Sequence, residues 1–387
     1  MRRSLSGCFS VPFAAVLRPL SFVLLIALVA AAVYPGISVI AQEMRVIRIG
    51  AGPTGATDFP FGGLIANAIS NPPGTRDCER GGNCGVPGLI AVAQTTVDAV
   101  DNLKAISSGD MEIALSQADV TDWAYRGTAA FYGQAPMDNL RVLARLYPEN
   151  IHLVVKKDSP IKSVLDLKGK TVAMGAKDSG TEATAKLVLS AYGVKWNTVH
   201  MRSMGFAAVA DALAEGSIDA FFMVSGAPVL TIEDLATRVP ISLIPIDGPT
   251  ADKLAKIFPY YTRGNIPAGT YGDHGVIPTV DVGSVLVARE GMNPELAYGI
   301  VRAIWHERNV PLFQGGHPRG KLMDKALAAR DVGVPILAGA DKYYIERYLM
   351  DPPTDQPLPA PMRGSITVPD AKPSRAGLPT ASSDSSF

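Results

Sequence analysis

Short apolar runs alternate with amphipathic segments along most of this chain. The apolar runs predict strands at 46–51, 89–94, 113–116, 140–147, 151–156, 171–175, 219–224, 241–246 and 280–288. Helical spacing and glycine stops predict helices at 60–70, 97–108, 179–192, 209–215, 295–307 and 323–329, with a short helix ending at Gly169. Alternation of this kind predicts an α/β fold, with open, largely parallel sheets that carry helices on both faces.

The N-terminus has the pattern of an export signal. Arginines are the only charged residues before Glu43, an apolar run spans 20–33, and small or short residues lead up to Ala41. This pattern predicts a signal peptide at 1–41 and a periplasmic protein. An uncleaved membrane anchor is the alternative, although the apolar run is short for a span.

The C-terminal segment 351–387 is rich in proline and serine and lacks apolar periodicity, so we predict a disordered tail there. Over the whole chain, 36 Lys and Arg balance 36 Asp and Glu. A neutral balance gives no basic surface for nucleic acid, and we expect no nucleic-acid partner.

Two cysteines follow the predicted signal. Cys78 and Cys84 flank a Gly-Gly turn, and in an oxidising compartment a pair this close predicts a local disulfide. A two-thiol metal site is the rival interpretation, although no histidine is near in sequence.

Polar and glycine residues gather just after predicted strands. Four such loops lie at Gly52–Asp58, Ser116–Asp119, Lys177–Glu182 and Ser225–Pro228. In open α/β sheets ligands bind outside the carboxyl ends of strands, and helix N-termini suit a carboxylate or phosphate. Because two loops fall in each half of the chain, a ligand between the halves could be held from both sides.

Each loop also has a simpler interpretation. Ser179 can be only a helix N-cap, Gln117 a polar residue at a strand end, and Tyr261 part of a packed core.

The first loop contains Gly50, Gly52 and Gly55 in the GxGxxG spacing of a dinucleotide site. A dinucleotide-binding unit needs a second strand ending in an acid about 20 residues on, and the chain has a Pro- and Gly-rich insertion there instead. We therefore expect no nicotinamide and no other cofactor. The five histidines are dispersed, and neither HExxH nor GxSxG occurs.

The segment IGAGPTGATDFPFGG at Ile49–Gly63 resembles the opening motif of the TAXI (TRAP-associated extracytoplasmic immunogenic) family of solute receptors. Further matches are Ala114–Asp119, Ser159–Lys170, Gly175–Thr184, Asp219–Pro228 and Ile266–Tyr271. They run in order over 46–350.

The resemblance implies a periplasmic-binding-protein-like fold of two α/β lobes joined by crossing hinge strands, with the ligand in the cleft between them. Lobe I would comprise 44–148 and 286–350, and lobe II 149–285. The implied function is a monomeric, non-enzymatic receptor that binds a small carboxylate, such as an amino acid or dicarboxylate, and delivers it to TRAP (tripartite ATP-independent periplasmic) permease subunits.

By position, the family's site motifs fall on residues spread over both predicted lobes. These are Thr54, Gly55, Thr57, Gln117, Ser179, Gly180, Thr181, Ser225, Gly226 and Tyr261. Asp58 is added because the family pattern has Tyr-Tyr where this chain has Asp58-Phe59. An acid there would repel a second carboxylate or attract an ammonium group.

Two other functions stay open at this level. One is a transferase or biosynthetic enzyme on the same fold, with Ser225 or Lys177 as candidate sites of covalent modification. The other is a sensory module that binds a ligand without transport.

Overall fold

A mixed sheet of ten strands, with helices packed on both faces, organises the computed structural model, which describes residues 44–351. Ten of the twelve strands in the described residues form this sheet, and β2 and β3 pair in a separate sheet of two strands. The twelve strands are β1 (Arg45–Gly50), β2 (Ser70–Asn71), β3 (Val86–Pro87), β4 (Leu89–Gln94), β5 (Ile113–Gln117), β6 (Leu140–Lys156), β7 (Thr171–Ala173), β8 (His200–Arg202), β9 (Ala220–Ser225), β10 (Ile241–Leu243), β11 (Tyr261–Ile266) and β12 (Ile277–Arg289). The signal-peptide prediction falls outside the described residues, as does the tail prediction beyond Asp351.

The α-helices lie mainly between the strands, as the alternation predicts. They are α1 (Asp58–Ile69), α2 (Ala99–Ser108), α3 (Ala118–Arg126), α4 (Gly180–Ala191), α5 (Phe206–Glu215), α6 (Leu230–Arg238), α7 (Gly248–Ile257), α8 (Pro294–Ile304), α9 (Val310–Gly316) and α10 (Ala340–Ile345). Short 3₁₀ turns occur at Cys78–Arg80, Ala129–Phe131, Val164–Leu167, Trp196–Thr198, Glu307–Asn309, Pro318–Leu322 and Lys325–Leu327. None of the helices in 44–351 is long and apolar enough to cross a membrane.

The order of the main sheet is β4-β1-β5-β12-β6-β9-β7-β8, with β10 added beside β6 and β11 beside β12. The strands β4, β1 and β5 are parallel in one half, and β9, β7 and β8 are parallel in the other. Between these halves run β12 and β6, antiparallel to each other and to their neighbours. The α/β class is confirmed, with the crossing strands of a periplasmic-binding-protein-like fold.

One predicted break in the chain is absent. We expected two strands around Pro148, but β6 is a single strand of 17 residues. Pro148 lies opposite Gly283 of β12, and on its other side β6 pairs with β9 only from Asn150 onward. The missing N–H of Pro148 therefore leaves no bond unmade on the β9 side.

Other boundaries also differ from the prediction. The segment between the strands predicted at 241–246 and 280–288 contains β11, which pairs with the first part of β12. The helix predicted from residue 97 begins at Ala99, and its N-cap is Asp98, whose side chain accepts from the amide of Asp101. The helix predicted at 323–329 is only a 3₁₀ turn, and the helices α3, α6, α7, α9 and α10 were not predicted.

Alternate residues of the strands feed apolar clusters on opposite faces of the sheet. In β9, Phe222 and Val224 pack with one cluster, whereas Phe221 and Met223 pack with another. The first cluster continues across the sheet to Leu103 and neighbouring residues of the other half. Continuous burial of this kind is the main source of stability for the central strands.

The central position of β12 gives a first testable prediction. Val285 is fully buried between β5 and β6, and Val285→Ala should lower the free energy of unfolding by on the order of 2 kcal/mol because it removes buried methyl groups and leaves a cavity. Val46→Ala is the matched control, since Val46 is 56% exposed on β1. Urea unfolding of both variants checks this, and equal losses would contradict the assigned core.

Candidate functional site

The carboxyl ends of strands from both halves of the sheet meet at its middle. Gln117, the last residue of β5, lies opposite Ser284 of β12, and Ser225, the last residue of β9, lies opposite Asn150 of β6. Because β12 and β6 run antiparallel to these strands, the loops that follow β5 and β9 converge from opposite directions. At these strand ends the sequence predicted the second and fourth candidate loops, Ser116–Asp119 and Ser225–Pro228.

The first and fourth loops contact each other directly. The amide of Thr57 donates to Ser225 Oγ at 3.1 Å, and the hydroxyl of Thr57 donates to the carbonyl of Gly226. Close by, Thr231 donates from its amide and its hydroxyl to the carbonyl of Gly55. These bonds join the two halves where a ligand was predicted.

Thr54 takes no part in this contact. Its side chain lies on the exposed part of the first loop, while Thr57 is almost fully buried.

The second and third loops also approach each other. A Cβ on Gly180 would lie 2.6 Å from Val120 and 3.1 Å from Oε1 of Gln117, so only glycine lets the start of α4 come this close. Ser179 is the N-cap of α4 and accepts from the amide of Glu182 at 3.1 Å. Thr181 is buried on the first turn. The capping role of Ser179 is therefore present, together with the predicted proximity.

Tyr261 lies beneath the loops and holds a buried acid. Its hydroxyl donates to Asp119 Oδ2 at 2.7 Å, and the hydroxyl of Thr184 donates to the same oxygen at 3.0 Å. Burial raises the pKa of Asp119 to about 6, although these hydrogen bonds oppose the rise. Tyr261 thus links β11, α3 and α4 through one carboxyl group.

Asp58 and Glu149 form a second group of acidic side chains, of which the sequence predicted only Asp58. The hydroxyl of Tyr147 donates to Asp58, and Gln117 Nε2 donates to Glu149 Oε2 at 2.9 Å. Burial raises the pKa of Asp58 to about 6. Burial and then the neighbouring Asp58 raise the pKa of Glu149 well above its usual range.

A third polar network lies at the crossing of β6 and β12. Arg319 is only 3% exposed; its Nε donates to the carbonyl of Ala227 at 2.6 Å and its Nη2 donates to Asn150. The amide of Asn150 in turn donates to Asp281. Burial raises the pKa of Asp281 to about 6, and the nearby Arg319 opposes this rise.

Ser225 lacks the surroundings of a nucleophile within the described residues. The nearby His152 is buried, and its Nδ1 lies 3.1 Å from the carbonyl of Asn150 while its Nε2 lies 2.9 Å from the hydroxyl of Tyr271. Burial lowers the pKa of His152 to about 3. A ring with so low a pKa, held by these partners, is too weak a base to activate Ser225.

Cys78 and Cys84 are joined by a disulfide. Nε2 of His306 lies 3.7 Å from Cys78 Sγ, although it is distant in sequence. These three residues are a possible metal-ligand group only when the disulfide is open, because a disulfide sulfur is no longer a thiolate. We expected no histidine near the two cysteines. None is near in sequence, but His306 lies beside Cys78 in the folded chain.

Sequence reasoning missed Tyr147, Glu149 and Arg319. The signal for Glu149 was present, because a charged residue inside the apolar stretch 140–156 requires a reason for its burial. Splitting that stretch at Pro148 assigned Glu149 to a turn. No local pattern marks Arg319, which reaches the site from a distant 3₁₀ turn.

Two cavities lie away from the four loops. One, of about 310 Å³, is lined on the second half by residues that include Lys157, Arg238 and His274. The other, of about 180 Å³, is mostly apolar and is lined by residues that include Trp305 and Phe313.

Residues 49–347 match the model of a protein family described as the NMT1-like family. Among solved structures, the periplasmic aliphatic sulphonate binding protein SsuA from Escherichia coli is 15% identical over 82% of this chain and 88% of that chain, with a TM-score of 0.40.

Two other solved structures show similar values. The binding protein component of an ABC phosphonate transporter from Pseudomonas aeruginosa is 13% identical over 80% of this chain and 85% of that chain, with a TM-score of 0.45. An ancestral arginine-binding protein bound to arginine is 17% identical over 70% of this chain and 99% of that chain, with a TM-score of 0.44. None of these likenesses assigns a ligand to this chain.

The buried Asp119 predicts how stability depends on pH. Its pKa is about 6 in the folded protein against 3.8 for an aspartate exposed to solvent, so between about pH 4 and pH 6 the folded state holds a proton that the unfolded state releases. The contribution of Asp119 to the free energy of unfolding therefore falls as pH rises through this window.

As pH rises from 4.5 to 7, the free energy of unfolding of Asp119→Asn, measured by urea unfolding, should fall less than that of the parent protein. Asp138→Asn is the control, because Asp138 is exposed. A pH profile of Asp119→Asn that is as steep as the parent's would contradict the assigned role.

Proposed function

The chain belongs to the NMT1-like family, and from this premise we propose that it is a periplasmic solute-binding receptor. It holds a small solute between the two halves of the sheet and presents the loaded form to a membrane permease. The observation that carries this proposal is the convergence of loops from both halves, with Thr57 bonded to Ser225 and Gly226. A solute held there would contact both halves at once.

We propose that the halves are two lobes that move about β6 and β12. The crossing region, where Glu149 and Asn150 lie opposite Val282 and Asp281, supports lobe boundaries near 148 and 286. Lobe I would comprise 44–148 and 286–350, and lobe II 149–285. Closure of the lobes would give a permease a surface that is absent in the open form.

We further propose that the solute carries a carboxylate and that the permease is of the TRAP type, as the resemblance to TAXI receptors implies. The first turn of α4 supports the carboxylate, because Gly180 and Thr181 are buried at the N-terminus of a helix of 12 residues. Backbone amides and the helix dipole at such an end favour an anion. We expect a monomer without a cofactor.

Titration calorimetry tests the binding function. The mature protein is titrated with a panel of amino acids, dicarboxylates and keto acids, together with alkanesulfonates and phosphonates. We expect at least one carboxylate to bind with one site per chain and without turnover. No binding across the panel, chemical conversion of a panel compound, or covalent modification of Ser225 or Lys177 would contradict the proposal.

Ser225→Ala tests whether contact between the halves contributes to binding. The variant removes the acceptor of the Thr57 amide, so the closed form should become less favourable and the affinity for the best panel solute should fall several-fold. Ser159→Ala is matched chemically, since Ser159 Oγ accepts from the amide of Ile161 within one half, and it should leave affinity unchanged. Equal effects of both variants would contradict the role of this contact.

A further inference from the structure

Glu149 has a carboxyl oxygen that finds no partner. The side chain is 1% exposed, Oε2 accepts from Gln117, and among the described residues Oε1 has no hydrogen-bond partner. The hydroxyl of Ser284, fully buried opposite Gln117, lies close enough to Glu149 to lower its pKa, although it makes no well-aligned hydrogen bond within the described residues. Leaving a buried carboxylate oxygen unpaired is costly, so Glu149 must hold a proton or face a cation in the functional protein.

Asp58 makes the requirement stronger. Its charge raises the pKa of Glu149, whereas a hydrogen bond with Glu149 lowers the pKa of Asp58. The resting pair can satisfy itself by holding one proton between the two carboxyl groups, as coupled buried acids do. A single positive group would do the same by replacing that proton.

No side chain in 44–351 forms an ion pair with either acid under the geometry of a salt bridge. The charged and titratable groups that face Glu149 are Asp58, Asp119, Tyr147 and, more remotely, Arg319. Arg319 already donates to Ala227 and Asn150. A positive group that took the place of the shared proton would therefore come from outside these residues.

The pair lies where the solute is proposed to bind. Asp58 directly follows Thr57, whose amide and hydroxyl reach the other half. Glu149 is held by Gln117, whose amide oxygen faces Gly180. Asp58 is therefore adjacent to the first loop, and Glu149 is one hydrogen bond away from the second.

The surrounding donors favour an organic cation over a metal ion. Tyr147 and Gln117 direct hydrogens, not lone pairs, at the two carboxyl groups. A divalent metal prefers a shell of oxygen lone pairs, whereas an ammonium group donates in fixed directions to carboxylates and to a hydroxyl such as that of Ser284.

We propose that Asp58 and Glu149 are the specificity determinant for a protonated amino group of the solute, which is then an amino acid and not a simple dicarboxylate. This inference rests on the proposed receptor function. On binding, the ammonium group keeps its three protons and takes the place of the proton held by the pair, which leaves to solvent. Each solute bound thus releases up to one proton, and affinity should fall as pH is lowered because protons compete with the ammonium group for the pair.

The test compares each amino acid with the acid of the same skeleton that lacks the amino group, for example L-glutamate with glutarate and L-leucine with 4-methylpentanoate. Calorimetry in two buffers of different ionisation heat counts the protons released. The amino form of the best-fitting skeleton should bind at least about tenfold more tightly than its counterpart, the gain expected of a charge-assisted hydrogen bond, and should release close to one proton at pH 6.

Asp58→Asn and Glu149→Gln keep the shape of each side chain and remove the charge. Each substitution should reduce the ratio of the affinity for the amino acid to the affinity for the deaminated acid by about tenfold or more. The affinity for the deaminated acid itself should stay the same or rise. Asp138→Asn is the exposed control and should change neither value. Thermal unfolding verifies that the variants are folded, and Tyr147→Phe, which only removes a donor to Asp58, offers a milder variant if either fails to fold.

The outcomes separate the two proposals. Equal binding of amino and deaminated acids, an unchanged preference in the folded variants, or binding of Mg²⁺ or Ca²⁺ alone at this pair would overturn the ammonium assignment while leaving the receptor function intact. Absence of binding for every compound of both series would instead count against the receptor function itself.

Discussion

The pairing of β6 with β12 at the middle of the sheet is the constraint on which the rest of this structure depends. Each strand serves both halves: β12 pairs with β5 through its later residues and with β11 through its earlier ones, and β6 passes from β12 to β9 near Asn150. Because these two strands run against their parallel neighbours, the carboxyl ends of both halves point at the crossing. The four polar loops converge for that geometric reason.

This convergence carries an electrostatic cost. The crossing places Glu149 and Asp281 in the interior, with Asp58 and Asp119 delivered by the adjoining loops, and burial raises the pKa of each. Asp281 is connected through Asn150 to Arg319, and Asp119 is held by Tyr261 and Thr184. Among these four acids of the described residues, Glu149 is the one that keeps a buried carboxyl oxygen without a hydrogen-bond partner, and its neighbour Asp58 raises its pKa further. Buried acids that destabilise the fold at neutral pH are consistent with a binding role.

The sequence was sufficient for the α/β class and for the position of the loops, because strand ends rich in glycine and polar residues are local signals. It did not give the direct contact of Thr57 with Ser225 and Gly226, since no local pattern reports a contact over 168 residues. Glu149 was missed because Pro148 was expected to end a strand. The structure accommodates this proline through the pairing of β6 with β12 and β9, which is not visible in the local sequence. His306 beside the disulfide and Arg319 at the crossing were beyond reach for the same reason: each arrives through tertiary packing.

The most direct test of this account is the crystal structure of the mature protein saturated with its tightest solute from the calorimetric panel. We expect electron density for the solute between the halves, in contact with the loop at Thr57, the loop at Ser225–Gly226 and the first turn of α4. Solute bound instead in the surface cavity lined by Lys157, Arg238 and His274, with the four loops unoccupied, would contradict it.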